Sequence, residues 1–163
     1  QKPLGRIPID WELNPDNFEA DGARKEGVKP QPPMMDVYTG MRLALTKNFN
    51  KREDFVNGRI IEVLYFSKDT NCLGVRTETG KDLAVHLYSE EIEKGMRVVN
   101  FPVRLGYAGT VQRIQGMTLE HVTLYLDRAG CRAAAYVAMS RVEYDNQYLI
   151  AGPVAPRHFV PAM

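Results

Sequence analysis

Cysteine is scarce in this chain, occurring only as Cys72 and Cys131 in 163 residues. Two thiols exclude a disulfide-dense scaffold and a zinc site made wholly of cysteine. They leave the redox compartment open, with a reduced interior as the default. Histidine is nearly as sparse. His86, His121 and His158 stand far apart, with no metal-ligand spacing among them or to the cysteines, and no metal site is expected. Net charge is missing too: 21 Lys and Arg against 20 Asp and Glu leave +1. That argues against a polycation that binds by bulk charge, while a local basic groove stays compatible with it. No apolar run approaches the roughly 20 residues of a spanning helix, so no membrane insertion is expected. No signal-peptide pattern opens the chain. It begins with Gln1, however, and the missing leader carries no weight.

Familiar catalytic patterns are absent as well. Gly80-Lys81 is followed by Asp82, where a phosphate loop needs Ser or Thr, and it lacks the upstream glycine; it reads as a hairpin turn. Ser140 has no flanking glycines to make a nucleophile elbow. Glu90 and Glu91 lie in a polar stretch and read as solvated. The residues spell no complete catalytic constellation.

What remains is an ordinary globular balance, 44% hydrophobic and 25% charged, long enough to bury a core. Composition divides it. Residues 1–36 are rich in proline and glycine and carry seven acids against five bases, a net of −2, which leaves +3 for the rest. This lead segment is expected to be mostly irregular, pinned by Ile7, Ile9, Trp11 and Phe18, with an extended proline run at 29–33. Residues 37–105 read as β structure. Stretches 41–46, 60–66, 72–76 and 83–88 alternate or are β-branched, and Asn57-Gly58, Asp69-Thr70-Asn71 and Thr79-Gly80 separate them. Short strands with turns about every ten residues suggest a small barrel. Farther on, strand-like 122–126, an Ala-rich helical stretch at 132–142 and strand-like 148–152 suggest a parallel α/β layer.

Two segments carry a resemblance. The first runs Gly106-Tyr107-Ala108-Gly109-Thr110-Val111-Gln112-Arg113-Ile114-Gln115-Gly116-Met117-Thr118-Leu119; the second is Ala135-Tyr136-Val137-Ala138-Met139-Ser140-Arg141-Val142. Together they resemble motifs V and VI of Pif/RecD-type superfamily-one DNA helicases. The stretch 40–50 is similar to that family's motif IV strand, and Asp54-Phe55-Val56-Asn57-Gly58 to the turn that follows it. The similarity runs from about Val37 to about Gly152, in the family's order.

The resemblance implies an α/β fold. A partial RecA-like parallel sheet, taking 41–46, 122–126 and 148–150, would carry helices and an inserted small β-barrel of the Src-homology-three kind. By it, residues 37–56 and 105–152 form a discontinuous second RecA-like domain, 57–104 the barrel, 1–36 the lead segment and 153–163 a tail. It implies the C-terminal motor portion of an ATP-dependent DNA helicase that moves along single-stranded DNA and unwinds duplex in the 5′-to-3′ direction. Arg141 matches the arginine finger. Gln115, Gly116 and Thr118 match nucleotide-binding positions. Thr110, Gln112, Arg113 and Asn48 match DNA-contacting positions. Gln112 and Arg113 depart from the family's usual His and Lys; both still bond to phosphate, while any titrating role of the His is lost.

In the barrel, Tyr65, Phe66, Tyr88, Arg76 and Lys81 are candidates for guiding the strand. No Walker A lysine or Asp-Glu magnesium box occurs, so ATP and Mg²⁺ are expected only together with a first RecA-like domain, and the chain alone is expected to be inactive. The implied partners are that domain and single-stranded DNA, in the nucleus or another DNA-containing compartment. The alternatives are a non-catalytic nucleic-acid-binding module and a structural subunit derived from the same fold.

Overall fold

The computed structural model describes residues 2–109, 116, 118–125 and 134–160. The chain divides into two compact units, Gln1–Ala108 and Gly109–Met163.

The first unit is almost wholly β. Strand β1 (Gly5–Pro8) pairs antiparallel with β2 (Met34–Val37), setting Gly5 opposite Val37 and Ile7 opposite Met35. Five further strands form one antiparallel sheet: β3 (Arg42–Leu45), β4 (Ile60–Ser67), β5 (Cys72–Thr77), β6 (Asp82–His86) and β9 (Val103–Leu105). Their order is β6-β5-β4-β3-β9. Strands β7 (Tyr88–Glu93) and β8 (Met96–Asn100) make a separate hairpin. The turns follow the local chemistry: Gly58, Gly80 and Gly95 all take positive φ, which costs a residue without Cβ nothing.

Alternation places the core. Leu43 and Leu45, Ile61 and Val63, Leu73 and Val75, with Val85 and Val103, bury the inward side of the five-stranded sheet. Ile7, Ile9, Val37 and Phe101 complete the cluster. The lead segment therefore belongs to the interior of this unit. Ile7, Ile9 and Trp11 are buried as expected, and Phe18 stacks on Trp11 at 5.9 Å between ring centroids. Gly5 lies so near Phe66 that an added Cβ would sit 2.6 Å from its ring.

The outward face of the sheet has its own order. Arg42, Glu62, Arg76 and Asp82 pair in sequence across β3, β4, β5 and β6, a row of alternating sign. Arg76 and Asp82 close it with a 2.7 Å contact. In the next row a bulge in β4 sets Tyr65 opposite Gly74, and the tyrosine ring covers the glycine.

One strand is placed differently from its expected position. The stretch 41–46 was expected in a parallel sheet beside 122–126 and 148–150. Instead β3 pairs antiparallel with β4 on one edge and with β9 on the other. Both of its edges are hydrogen-bonded within the first unit, so none is left for a parallel neighbour.

The loop from β3 to β4 is held from below by Asp54. This residue has φ 67, a conformation that Asp and Asn tolerate better than most. Its carboxylate accepts a 2.7 Å hydrogen bond from the Thr79 hydroxyl and pairs with Arg59 at 2.7 Å. Burial opposes the charge, yet Thr79 and Arg59 outweigh it and hold the carboxyl below its ordinary range.

In the second unit β10 (Val122–Tyr125) and β11 (Tyr148–Ala151) pair in parallel, and α1 (Ala134–Met139) packs on them. Leu124, Ala135 and Ala138 are buried together, joined by Val122, Met139 and Ile150. Alanine on the inner side of α1 lets the helix lie close to the strands.

Two outcomes follow. Gly106 sits against β3, and a Cβ there would meet the Leu43 backbone at 2.8 Å, where nothing can swing aside. Gly106→Ala is expected to lower the unfolding free energy in urea by about 1–3 kcal/mol. Gly109→Ala, with open space around it, is expected to change it by less than about 0.5 kcal/mol. The second outcome concerns pH. A carboxyl more acidic in the fold contributes stability above its unfolded pKa, near 3.9. That contribution is lost as pH falls through the lower folded value. Asp54→Asn is expected to cost about 1.5–3 kcal/mol at pH 7. Urea titrations at successively lower pH should show the gap to the parent chain narrowing below about pH 4.

Candidate functional site

The C-terminal end of α1 carries Arg141. Ser140 N–H donates to the Tyr136 carbonyl at 2.9 Å and Arg141 N–H to that of Ala138 at 3.1 Å, so the helical turn closes just before the arginine leaves it. The guanidinium then folds back. Nε donates to the Val137 carbonyl at 3.1 Å and Nη2 to Ser140 Oγ at 2.9 Å. Ser140 Oγ itself donates to the Val137 carbonyl at 2.8 Å. A cation over the last turn satisfies carbonyls that the helix leaves open and complements its negative end. No carboxylate among the described residues pairs with Arg141. Among the described residues the guanidinium is thus positioned by neutral acceptors alone.

A backbone bond brings a second expected segment to this arginine. Leu119 N–H donates to the Arg141 carbonyl at 2.7 Å. The preceding Thr118 is exposed, and exposed Gly116 has φ 83, a conformation that L side chains rarely adopt. Gly116, Thr118 and Arg141 therefore lie on two strands of chain tied at one point. Thr110, Gln112, Arg113 and Gln115 lie outside the described residues.

Asn48 lies in the first unit, in the loop after β3. Its Oδ1 accepts a 2.9 Å bond from Asn57 N–H, spanning the loop and anchoring the Asn57-Gly58 turn. Phe49 N–H and Asn50 N–H both donate to the Phe55 carbonyl, and Phe55 N–H returns a bond to Asn50. The loop is a small closed hairpin presenting exposed Asn48, Phe49, Lys51 and Arg52.

The candidates on the β-rich unit sort by their contacts. Arg76 is taken up by Asp82. Lys81 Nζ donates to the Arg52 carbonyl at 2.6 Å and so braces the loop. Phe66 is half-buried against Phe101, and Tyr88 against Phe49. Tyr65 stays open to solvent.

The sequence reading missed two features. Glu90, read as solvated, is half-buried: it accepts from Trp11 Nε1 at 3.1 Å and pairs with Lys47 at 3.3 Å. Burial works against the Lys47 charge, but Glu90 more than offsets it and raises the pKa. This contact joins the lead segment, the β3–β4 loop and β7, residues too far apart in sequence for any local pattern to link. The other is Phe49, half exposed, whose only sequence signal is an aromatic in a loop followed by Lys51-Arg52. Among the described residues no three His, Cys, Asp or Glu side chains converge to hold a metal ion. No helix among them is long and apolar enough to cross a membrane.

No family model matches the chain. A curated relative, the ATP-dependent DNA helicase Pif1 of Campylobacter jejuni, is 25% identical over 126 residues, covering 69% of this chain and 28% of the relative. Among solved structures, a Pif1 helicase studied for unwinding at forked dsDNA by two coordinating Pif1 helicases superposes with a TM-score of 0.69. It is 18% identical and covers 89% of this chain and 33% of that one. Bacteroides Pif1 bound to ssDNA gives a TM-score of 0.67 at 18% identity, covering 85% of this chain and 34% of that one. The chain thus spans about a quarter to a third of the length of the relatives it matches. In sequence and in fold, it resembles the C-terminal part of Pif1-type helicases.

Proposed function

We propose that this chain is the C-terminal motor portion of an ATP-dependent DNA helicase acting in a DNA-containing compartment. The whole motor translocates on single-stranded DNA and unwinds duplex, 5′ to 3′. The observation that carries the reading is the junction of Leu119 N–H with the Arg141 carbonyl. It ties the segment matching the nucleotide-and-DNA motif to the residue matching the finger. In this reading the second unit is part of a RecA-like domain, and the β-rich unit contains the inserted small barrel.

The residues fit part of a nucleotide site. Arg141 has a cationic fork held at a helix end with no carboxylate partner among the described residues, which suits an anionic oxygen. Gly116, with no Cβ and positive φ, leaves room for a phosphate or a backbone to approach. In this reading Mg²⁺ is carried by a first RecA-like domain. ATP bound with Mg²⁺ on that partner domain supplies the phosphoryl group whose charge Arg141 stabilises. In this reading Gln115 and Thr118 supply the nucleotide with neutral donors and acceptors. Thr110, Gln112, Arg113 and Asn48 hold the DNA through phosphate contacts that orient the strand without reading its sequence.

Both halves of this reading are testable. The purified 163-residue chain is expected to release no phosphate from ATP above the buffer rate, since the finger acts on a nucleotide held elsewhere. A measured turnover from the chain alone would overturn that division of labour. In a motor containing both RecA-like domains, Arg141→Lys is expected to lower kcat by about 10³–10⁵. Single-stranded DNA affinity should stay unchanged in fluorescence anisotropy. Loss of DNA binding with kcat intact would assign Arg141 to the DNA track instead.

A further inference from the structure

We infer that Phe49 is a stacking platform for one unpaired base of single-stranded DNA, with the strand's phosphates held by Lys51, Arg52 and Lys81. The inference rests on the proposal that the chain contacts single-stranded DNA, and it names a site on the β-rich unit for that contact.

Phe49 is 50% exposed, although it has no polar atom to justify contact with water. Isolated exposed apolar residues are common, so exposure alone decides nothing. What sets Phe49 apart is how firmly it is held. Its ring meets Phe55 at 5.0 Å and 70°, and Tyr88 at 5.1 Å and 63°, both edge contacts rather than parallel stacks. Its backbone N–H is bonded to the Phe55 carbonyl, and Asn48 and Asp54 brace the loop on either side. A ring fixed in this way loses little conformational freedom when a base lies on it.

The charges around it complete the argument. Lys51 and Arg52 follow within three residues, are exposed, and pair with no carboxylate among the described residues. Lys81 is tethered to the same turn through the Arg52 carbonyl. Against these three cations stands exposed Glu53; Asp54 is already neutralised by Arg59. The turn is therefore net positive beside an open aromatic face, the combination that binds single strands without sequence preference. Tyr65 offers the counter-example. Its ring is as exposed as that of Phe49, but the adjacent row Arg42–Glu62–Arg76–Asp82 balances its own charge and offers phosphate nothing.

The test uses the full 163-residue chain with fluorescein-labelled oligothymidine and an abasic oligomer of equal length, read by anisotropy at low salt. The parent chain is expected to bind oligothymidine more tightly than the abasic strand. Phe49→Leu keeps an apolar side chain packed on Phe55 and Tyr88, and its folding is checked by a circular dichroism melt. It is expected to weaken oligothymidine binding by roughly 5- to 100-fold and leave the abasic strand unaffected. Joint replacement of Lys51 and Arg52 by alanine is expected to weaken both oligomers alike. Tyr65→Leu is expected to change neither. If folded Phe49→Leu binds oligothymidine as the parent does, or the parent does not distinguish the two oligomers, the stacking site is refuted while DNA binding stands. If the parent binds neither oligomer, the single-strand reading falls together with the stacking site.

Discussion

Twelve apolar side chains between Ile7 and Val103 share one interior, and the ladders of the first unit are arranged around it. Strand β3 lies inside the five-stranded sheet, between β4 and β9. Its edges are occupied by β4 and β9, its side chains Leu43 and Leu45 are fully buried, and its two ends lead to the loops that matter. One end continues into the hairpin that presents Asn48 and Phe49. At the other, Arg42 N–H donates to the Tyr107 hydroxyl at 3.0 Å, and Gly106 lies against the Leu43 backbone, where the chain leaves the unit. An interior strand of this kind cannot shift by one residue without turning Leu43 and Leu45 to the solvent. Whatever the loops at its ends contact, they contact from a fixed origin.

Polar groups in this molecule do local work that the apolar interior cannot do. Asp54, Thr79 and Arg59 satisfy one another under the β3–β4 loop, and Trp11, Glu90 and Lys47 do the same between the lead segment and β7. Each set joins elements remote in sequence. Arg141 is treated differently: its guanidinium is aimed by a hydroxyl and a carbonyl, and no carboxylate among the described residues pairs with it. A charge cancelled by a carboxylate would have little to offer an incoming anion, whereas a charge oriented by neutral groups keeps its field.

Local chemistry made some elements readable from sequence. Asn57-Gly58 and Thr79-Gly80 form turns with positive φ at the glycines, and Asn71 takes φ 47 in the turn before β5. The runs 60–66 and 72–76 were read as strands and lie in β4 and β5. Such patterns could not tell which strand lies beside which, because side-chain periodicity reports a face and not a neighbour. The placing of 41–46 beside 122–126 and 148–150 came from the family resemblance, and the ladders of β3 overturn it. The run 83–88 was broken at Leu87, where β6 ends and β7 begins, because a change of sheet leaves no mark in a hydrophobic pattern. Among the candidate site residues, Arg141 was singled out by its motif. The bond from Leu119 that locates it was not, since a backbone donor exists at every residue except proline.

The proline-rich opening was expected from composition to be mostly irregular. In the fold, β1 supplies the hydrogen-bonding partner of β2, and Ile7 and Ile9 fill places in the shared interior. A version of the molecule trimmed at Val37 would lose both strands of that ladder and uncover the apolar slots that Ile7 and Ile9 fill. Exposed apolar surface of that kind is an aggregation liability, and the opening residues keep the interior of the first unit closed to water.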